Sequence, residues 1–264
     1  MDNGSTDGSQ ALLRDKFPDV HLIQNRGNAG LSRASNQGIN ASQGRYVLLL
    51  NDDTIVNGPS LEKMVEFLDS HPDAAAVGGR LLNPDGSLQA GYRRFPTLPE
   101  EFLIATRIGE LLFSSYPLYA GSGHARRVDW LGSACLLLRR QALHEVGLLD
   151  EEYFIYGDET DLQFRLHRAG WRAYYLPSAH TIHYGGRSMD RWRRRKMVYR
   201  GKMLFYRKNY GRLPTALLRL MLAGLSAAKI LAWCIALAIP ARQERVRREL
   251  RSNLDVITLC WKLV

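Results

Sequence analysis

Apolar positions along this chain switch between two periods. Residues 30–42 and 59–70 (PSLEKMVEFLDS) carry small and apolar side chains at helical spacing, and 9–17 (SQALLRDKF) read as a short helix after Ser, Thr and Asp capping residues. In 59–70 the apolar positions are Leu61, Met64, Val65, Phe67 and Leu68, one face of a helix with Pro59 in its first turn. Between such stretches lie short apolar runs of strand length: HLIQN (21–25), RYVLLLN (45–51) and AAAVGGRLLN (74–83), the last followed by an NPDGS turn at 83–87. The run at 45–51 is apolar throughout, as a parallel strand covered on both faces requires. The pattern resumes with a strand-like WLGSACLLLRR (130–140), a helix over 140–147, a helix over 158–169 that ends at Gly170, and a strand WRAYYLP (171–177). Residues 91–126 mix Pro, Gly and Tyr without a period and are expected to be a long irregular insertion. Strands alternating with helices predict an α/β sheet with crossover connections.

The end of the chain differs. Residues 220–239 (LMLAGLSAAKILAWCIALAI) are apolar over nearly the length of a membrane span, with Lys229 the one charge. Arg219, Ser226, Lys229 and Trp233 nevertheless fall close together on a helical wheel. Both flanks are basic as well, against the charge asymmetry of a single span. The run is therefore expected to lie in a membrane interface or to pair with residues 254–264, or else to pack as a soluble helix.

Charge sharpens this division. The 264 residues carry 36 Lys and Arg against 26 Asp and Glu. From Arg187 onward there are 19 basic and 4 acidic residues, a net charge of +15, while residues 1–186 net −5. The expected organisation is a body over 1–186 and a basic, helical, membrane-associating tail over 187–264, whose charge favours an anionic partner. Cys135, Cys234 and Cys260 are too few and too scattered for a disulfide framework or a zinc ribbon, and fit a reducing compartment. The polar opening MDNGSTDGS has no apolar core of a signal peptide.

Four segments hold candidate chemistry. Asp52 and Asp53 directly follow the 46–50 strand, at the end where open α/β sheets bind ligands. Adjacent carboxylates there suit a divalent metal bridging to a diphosphate, or a turn. DNGSTDGS (2–9) is a loop of small residues that could approach a nucleotide, or a polar turn before a helix. Asp158, Glu159 and Asp161 crowd the first turn of the 158–169 helix, where acids favour the helix dipole and one could act as a general base. His183 is a metal ligand or an isolated histidine.

In combination, DNGSTDGS (2–9), NRGNAGLSRASNQGI (25–39), YVLLLNDDT (46–54), WLGSACLLLRR (130–140), FIYGDETDLQFRLHRAGW (154–171) and LPSAHTIHYGG (176–186) resemble the family 2 glycosyltransferases of the inverting GT-A type, in particular their rhamnosyltransferase-like branch. The resemblance implies a GT-A, Rossmann-like, mostly parallel sheet flanked by helices. It implies that Asp2, Asn28, Gly30 and Asp52 contact the nucleotide-sugar, that Asp53 and His183 hold Mn²⁺ or Mg²⁺, and that Trp130 and Asp161 face the acceptor. The family's catalytic base lies in a Glu-Asp pair that here reads Asp158-Glu159. Its position falls on Glu159, with Asp158 beside the acceptor.

The resemblance also implies the reaction: a sugar such as rhamnose passes from a nucleotide-diphosphate donor to a glycan or lipid-linked acceptor with inversion and no covalent intermediate. The setting it implies is cell-surface polysaccharide synthesis on the cytoplasmic face of a bacterial inner membrane, with the protein peripheral or monotopic there. Two features depart from the pattern. The family's opening V-x-I-V-I-V-T-Y-N strand is not seen before Asp2, so the first strand and helix are expected to be lacking. Ser188 stands where processive synthases have the Gln of Q-x-x-R-W ahead of Arg191-Trp192. An inactive fragment of such an enzyme is one alternative. A basic nucleic-acid-binding module is the other, but it leaves the carboxylates and His183 without a purpose, so no nucleic acid is expected.

Overall fold

The computed structural model describes residues 1–112, 123–185, 189–236 and 243–262. In chain order the elements are α1 (Ser9–Lys16), α2 (Leu31–Ala41), β1 (Tyr46–Leu50), β2 (Thr54–Val56), α3 (Gly58–Ser70), β3 (Ala74–Leu82), β4 (Tyr92–Arg93), α4 (Leu98–Thr106) and α5 (Ile108–Leu112). There follow β5 (Arg126–Val128), β6 (Trp130–Leu131), β7 (Cys135–Arg139), α6 (Arg140–Val146), α7 (Asp158–Arg168), β8 (Arg172–His183), α8 (Arg191–Asn209), α9 (Arg212–Ala236) and α10 (Gln243–Lys262). They form two units. One comprises Met1–Tyr92 and Ala120–His183, the other Arg93–Tyr119 and Tyr184–Val264. The helical unit thus takes in residues 93–119 as well as the basic tail.

The first unit is the α/β body. Its sheet runs β1-β7-β3-β8-β2, with β5 also paired to β8. β3 and β8 are parallel, while β1–β7, β3–β7, β2–β8 and β5–β8 are antiparallel. The expectation of a mostly parallel sheet is therefore corrected to a mixed one. Strands β1, β3 and β8 do share one direction. β7 enters between β1 and β3 in the opposite sense, and β2 folds back on β8. Helix α3 starts at Asn57, whose side chain accepts the Ser60 amide at 2.9 Å. It packs Met64 and Leu68, both fully buried, on Ala74, Val77, Leu137 and Tyr174.

Other expectations change too. β1 pairs among the described residues with β7 alone, so it lies at a sheet edge and Leu50 is 44% exposed. The run 21–25 shrinks to a single bridge between Asp2 and Gln24. The run 130–140 splits into β6 and β7, and β8 continues past Pro177 to His183. Residues 91–126 contain α4 and α5 rather than irregular chain alone. Thr97 caps α4 by accepting the Glu100 amide, with Pro99 in its first turn. Residues 113–122 of that stretch, Gly186 and Ser188, and 237–239 of the apolar run lie outside the described residues.

The second unit is helical. Asp190 caps α8 by accepting the amides of Trp192 and Arg193 at 3.0 and 3.1 Å. Buried ion pairs tie the helices together: Glu101 of α4 with Lys202 of α8, and Glu249 of α10 with Arg195 of α8. Helix α9 buries Leu218 and Leu222 on its inner face, yet its outer face is apolar as well. Leu213, Leu217, Leu220, Leu231 and Ile235 face outward. Thr215 and Ser226 are buried, and Lys229 turns in to donate to the Ala105 carbonyl at 2.7 Å. The segment Arg212–Ile235 is, by length and composition, long and apolar enough to cross a membrane.

Candidate active site

The strand ends of the body bring distant residues together. β2 pairs with β8 so that Thr54 stands opposite His183. That register carries Asp53, one residue before Thr54, to the His183 ring: Oδ1 and Nε2 are 3.2 Å apart, on partly buried side chains. Two donor atoms on adjacent corners of an octahedron with bonds of ~2.1 Å lie ~3.0 Å apart, so the pair fits one divalent cation. Among the described residues no group of three His, Cys, Asp or Glu side chains converges. Two protein ligands with the rest left to phosphate oxygens and water is the usual arrangement for Mg²⁺ at nucleotide sites. Asp52, by contrast, points to solvent.

Gln89, which sequence reasoning missed, completes this corner. Its Oε1 lies 2.9 Å from His183 Nδ1, and its Nε2 donates at 2.6 Å both to the His183 carbonyl and to Asn83 Oδ1. Its only sequence signal is its place just beyond the NPDGS turn.

The loops around Asp2 and Asn28 form a second corner. The Asp2 backbone bridges to the 23–25 segment, donating to the Ile23 carbonyl at 2.8 Å and accepting the Asn25 amide at 2.9 Å. Its carboxylate accepts from Gln10 Nε2 at 2.6 Å and the Ser5 amide at 3.2 Å, and hydrogen bonding with Ser5 and Gln10 holds it below the usual range. Asn28 Oδ1 accepts the Gly30 amide at 3.0 Å and Asn3 Nδ2 at 3.1 Å. Gly30 has φ 91°, and a Cβ there would sit 2.9 Å from the Phe154 carbonyl oxygen. Only glycine lets the 25–30 loop close on the loop that leads into α7.

The third corner is the first turn of α7. Gly157, at φ 97°, turns the chain into the helix. Asp158 is buried, and its Oδ1 has no hydrogen-bond partner. It lines a cavity of about 340 Å³ together with Asn51, Leu50, Ser133 and Leu31. One space thus joins this turn to the end of β1. Burial raises the Asp158 carboxyl, partly opposed by hydrogen bonds from Glu159, its own amide and Ser32. Burial and the Asp158 charge push Glu159 well above the carboxylate range.

Asp161 is occupied otherwise. Its Oδ2 accepts Arg165 Nε at 2.9 Å and its Oδ1 accepts the Tyr153 hydroxyl at 3.3 Å, both away from solvent. Trp130 is brought beside α7 through its neighbour. Gln163 Oε1 accepts the Leu131 amide at 2.9 Å, and Gln163 Nε2 donates to the carbonyls of Leu131 and Glu159 at 2.8 and 3.0 Å. Gln163, one turn beyond Glu159, was also missed, since a buried glutamine on a polar helix carries no sequence mark.

Residues 1–133 match the family model described as Glycosyl transferase family 2. The match ends before Asp158 and Glu159. The chain is 32% identical over 207 residues to the N-acetylglucosaminyl-diphospho-decaprenol L-rhamnosyltransferase of Mycobacterium tuberculosis, covering 72% of this chain and 67% of that one. It is 29% identical over 142 residues to rhamnosyltransferase WbbL of Escherichia coli K12, covering 53% and 52%. Its fold is similar to that of a mannosyltransferase, PcManGT from Pyrobaculum calidifontis, solved in complex with GDP-Man and Mn²⁺, with a TM-score of 0.55 and 15% identity over all of this chain and 77% of that one.

Proposed function

The chain belongs to glycosyl transferase family 2, a glycosyltransferase, and from that premise we propose that it moves rhamnose from a nucleotide-diphosphate donor to a lipid-linked glycan, with inversion. The observation that carries this reading is a cavity that Asp158 shares with Asn51 at the end of β1, two residues before the Asp53 that meets His183. A donor whose diphosphate rests at Asp53 presents its sugar toward the carboxyls. The names of the two rhamnosyltransferase relatives support the sugar, and the decaprenol diphosphate in one of them supports the acceptor class.

Each residue then has a part. Asp53 and His183 hold a divalent cation, Mn²⁺ or Mg²⁺, which when bound supplies positive charge to the departing diphosphate. Asp2, Asn28 and Gly30 shape the loop corner that receives the nucleotide. Glu159 takes the proton of an acceptor hydroxyl, and Asp158 sets its proton affinity and meets the acceptor. The acceptor oxygen attacks the anomeric carbon from the side opposite the diphosphate, so the configuration inverts. Asp161 holds the α7 turn in place through Arg165 and Tyr153.

A lipid-linked acceptor requires access to a membrane. The outward Leu and Ile stripe of α9, together with the +15 charge of residues 187–264, supports a helix lying in the interface of an anionic cytoplasmic leaflet. Basic residues on both flanks of the apolar run support an in-plane helix over a spanning one.

The test is direct. The full chain is incubated with dTDP-rhamnose, or with UDP- and GDP-sugars, and a polyprenyl-diphosphate-GlcNAc acceptor, and the product is read by mass spectrometry and its anomeric configuration by NMR. An inverted rhamnosyl product is expected. Transfer from another donor alone would replace the sugar, and transfer without inversion would overturn the mechanism.

A further inference from the structure

We propose that Gln89 is a positioning residue that fixes the tautomer of His183, so that Nε2 presents a lone pair beside Asp53; this rests on the reading of Asp53 and His183 as the cation site. A backbone carbonyl can only accept a hydrogen bond. The Gln89 atom facing the His183 carbonyl at 2.6 Å is therefore the amide nitrogen, and Oε1 is the atom facing His183 Nδ1 at 2.9 Å. Oε1 has no proton to give, so Nδ1 carries the proton and donates it. In the neutral ring Nε2 is then bare, 3.2 Å from a carboxylate oxygen. Two acceptors at that distance repel unless a cation or a proton lies between them. Gln89 holds both the ring and the main chain of one residue, which sets the direction of the lone pair as well as the tautomer.

The turn before Gln89 is built to hold it. Asn83 Oδ1 takes the second proton of the Gln89 amide at 2.6 Å, while Asn83 Nδ2 donates to Ser87 Oγ at 2.8 Å. Ser87 Oγ donates to Asp85 Oδ1 at 2.6 Å, and Gly86, at φ 81°, closes the turn. The Gln89 backbone N–H donates to the Leu81 carbonyl at 2.9 Å, anchoring the residue to β3. NPDGSLQ (83–89) is thus one chain of hydrogen bonds that ends on a metal ligand.

The experiment uses the full chain labelled with ¹⁵N-histidine, at pH about 8, where an ordinary imidazole is neutral. Long-range ¹H–¹⁵N correlation reads the tautomer of His183, assigned by its absence in His183→Asn. Wild type is expected to show a protonated Nδ1, and a protonated Nε2 overturns the proposal without any Gln89 variant. Mn²⁺ titration followed by EPR gives the second readout. Gln89→Leu should weaken Mn²⁺ binding 10- to 100-fold, the usual effect of losing such a partner. Gln89→Glu keeps the acceptor but loses both donated bonds, and should stay within about threefold of wild type. If Gln89 only held the turn, both variants would weaken alike, which overturns the proposal, as does wild-type affinity in Gln89→Leu. If Asp53→Ala binds Mn²⁺ normally, the cation site itself is misassigned, while the tautomer still decides the role of Gln89.

Discussion

His183 Nε2 stands 3.2 Å from Asp53 Oδ1, although the two residues lie far apart in the chain. The antiparallel register of β2 on β8 is what joins them. Replacing Asp53 by Ala removes the anionic half of the pair without disturbing that register, because Asp53 precedes β2. Transfer should fall ~100-fold or more, since a metal's charge stabilisation is worth several kcal/mol. Excess chelator should abolish transfer in wild type, and Mn²⁺ or Mg²⁺ should restore it. Full turnover in chelator would falsify the assignment.

Gly30 offers a test of the loop corner that is independent of chemistry. Its φ of 91° and ψ of 159° belong to glycine almost alone, and a Cβ would meet the Phe154 carbonyl oxygen at 2.9 Å. Gly30→Ala should cost about 1–3 kcal/mol and lower the melting temperature by several degrees. Gly27→Ala is the matched control, because a Cβ there meets nothing within 4 Å. Circular dichroism melts of both variants decide the point, and equal melting temperatures would remove the argument for a forced glycine.

The strong periods of the chain carried over into the structure, whereas cues that depend on pairing did not. Leu61, Met64, Val65, Phe67 and Leu68 announce α3 because one helix face must be apolar whatever it packs on. An apolar run such as 46–50 announces a strand but not its neighbours, so the direction of β7 and the edge position of β1 stayed hidden. Thr97 and Glu100 at capping-box spacing, with Pro99 between them, did mark α4, but the lack of an apolar period around them masked the signal. In the site, the titratable residues were legible from their motifs. Gln89 and Gln163 were not, because a side-chain amide becomes informative only when its partners are known.

The outward face of α9 yields a membrane prediction. Leu231 and Ile235 are 70% and 79% exposed, so charge at these positions leaves the helical packing intact. The double substitution Leu231→Glu and Ile235→Glu should weaken sedimentation of the full chain with phosphatidylglycerol vesicles at least tenfold, since each burial in acyl chains is worth about 1.5–3 kcal/mol. Wild-type binding should weaken in high salt without vanishing, because the Arg and Lys contribution is screened and the apolar one is not. Undiminished binding of the double variant would mean that the stripe does not enter the membrane.

The last prediction concerns the protonation of Glu159 beside Asp158. Burial comes first and the Asp158 charge second in raising Glu159 well above the carboxylate range. A base must be unprotonated, so kcat/KM should fall as pH drops through that raised value, giving an acid limb above the ordinary carboxylate pKa. Stability runs the other way. A carboxyl with a folded pKa above its unfolded one favours folding when protonated, so stability should decline as pH rises from the unfolded value to the folded one. Glu159→Gln removes both effects. It should melt at or above the wild-type temperature at neutral pH, flatten that pH dependence, and lose transfer at least a hundredfold while donor and metal still bind. Asp158→Asn removes the neighbouring charge, so the surviving activity should show its acid limb displaced toward the ordinary range, with a weakened acceptor KM. Normal transfer by Glu159→Gln beside a dead Asp158→Asn that still binds donor would reverse the two roles and make Asp158, the carboxylate that lines the cavity, the base.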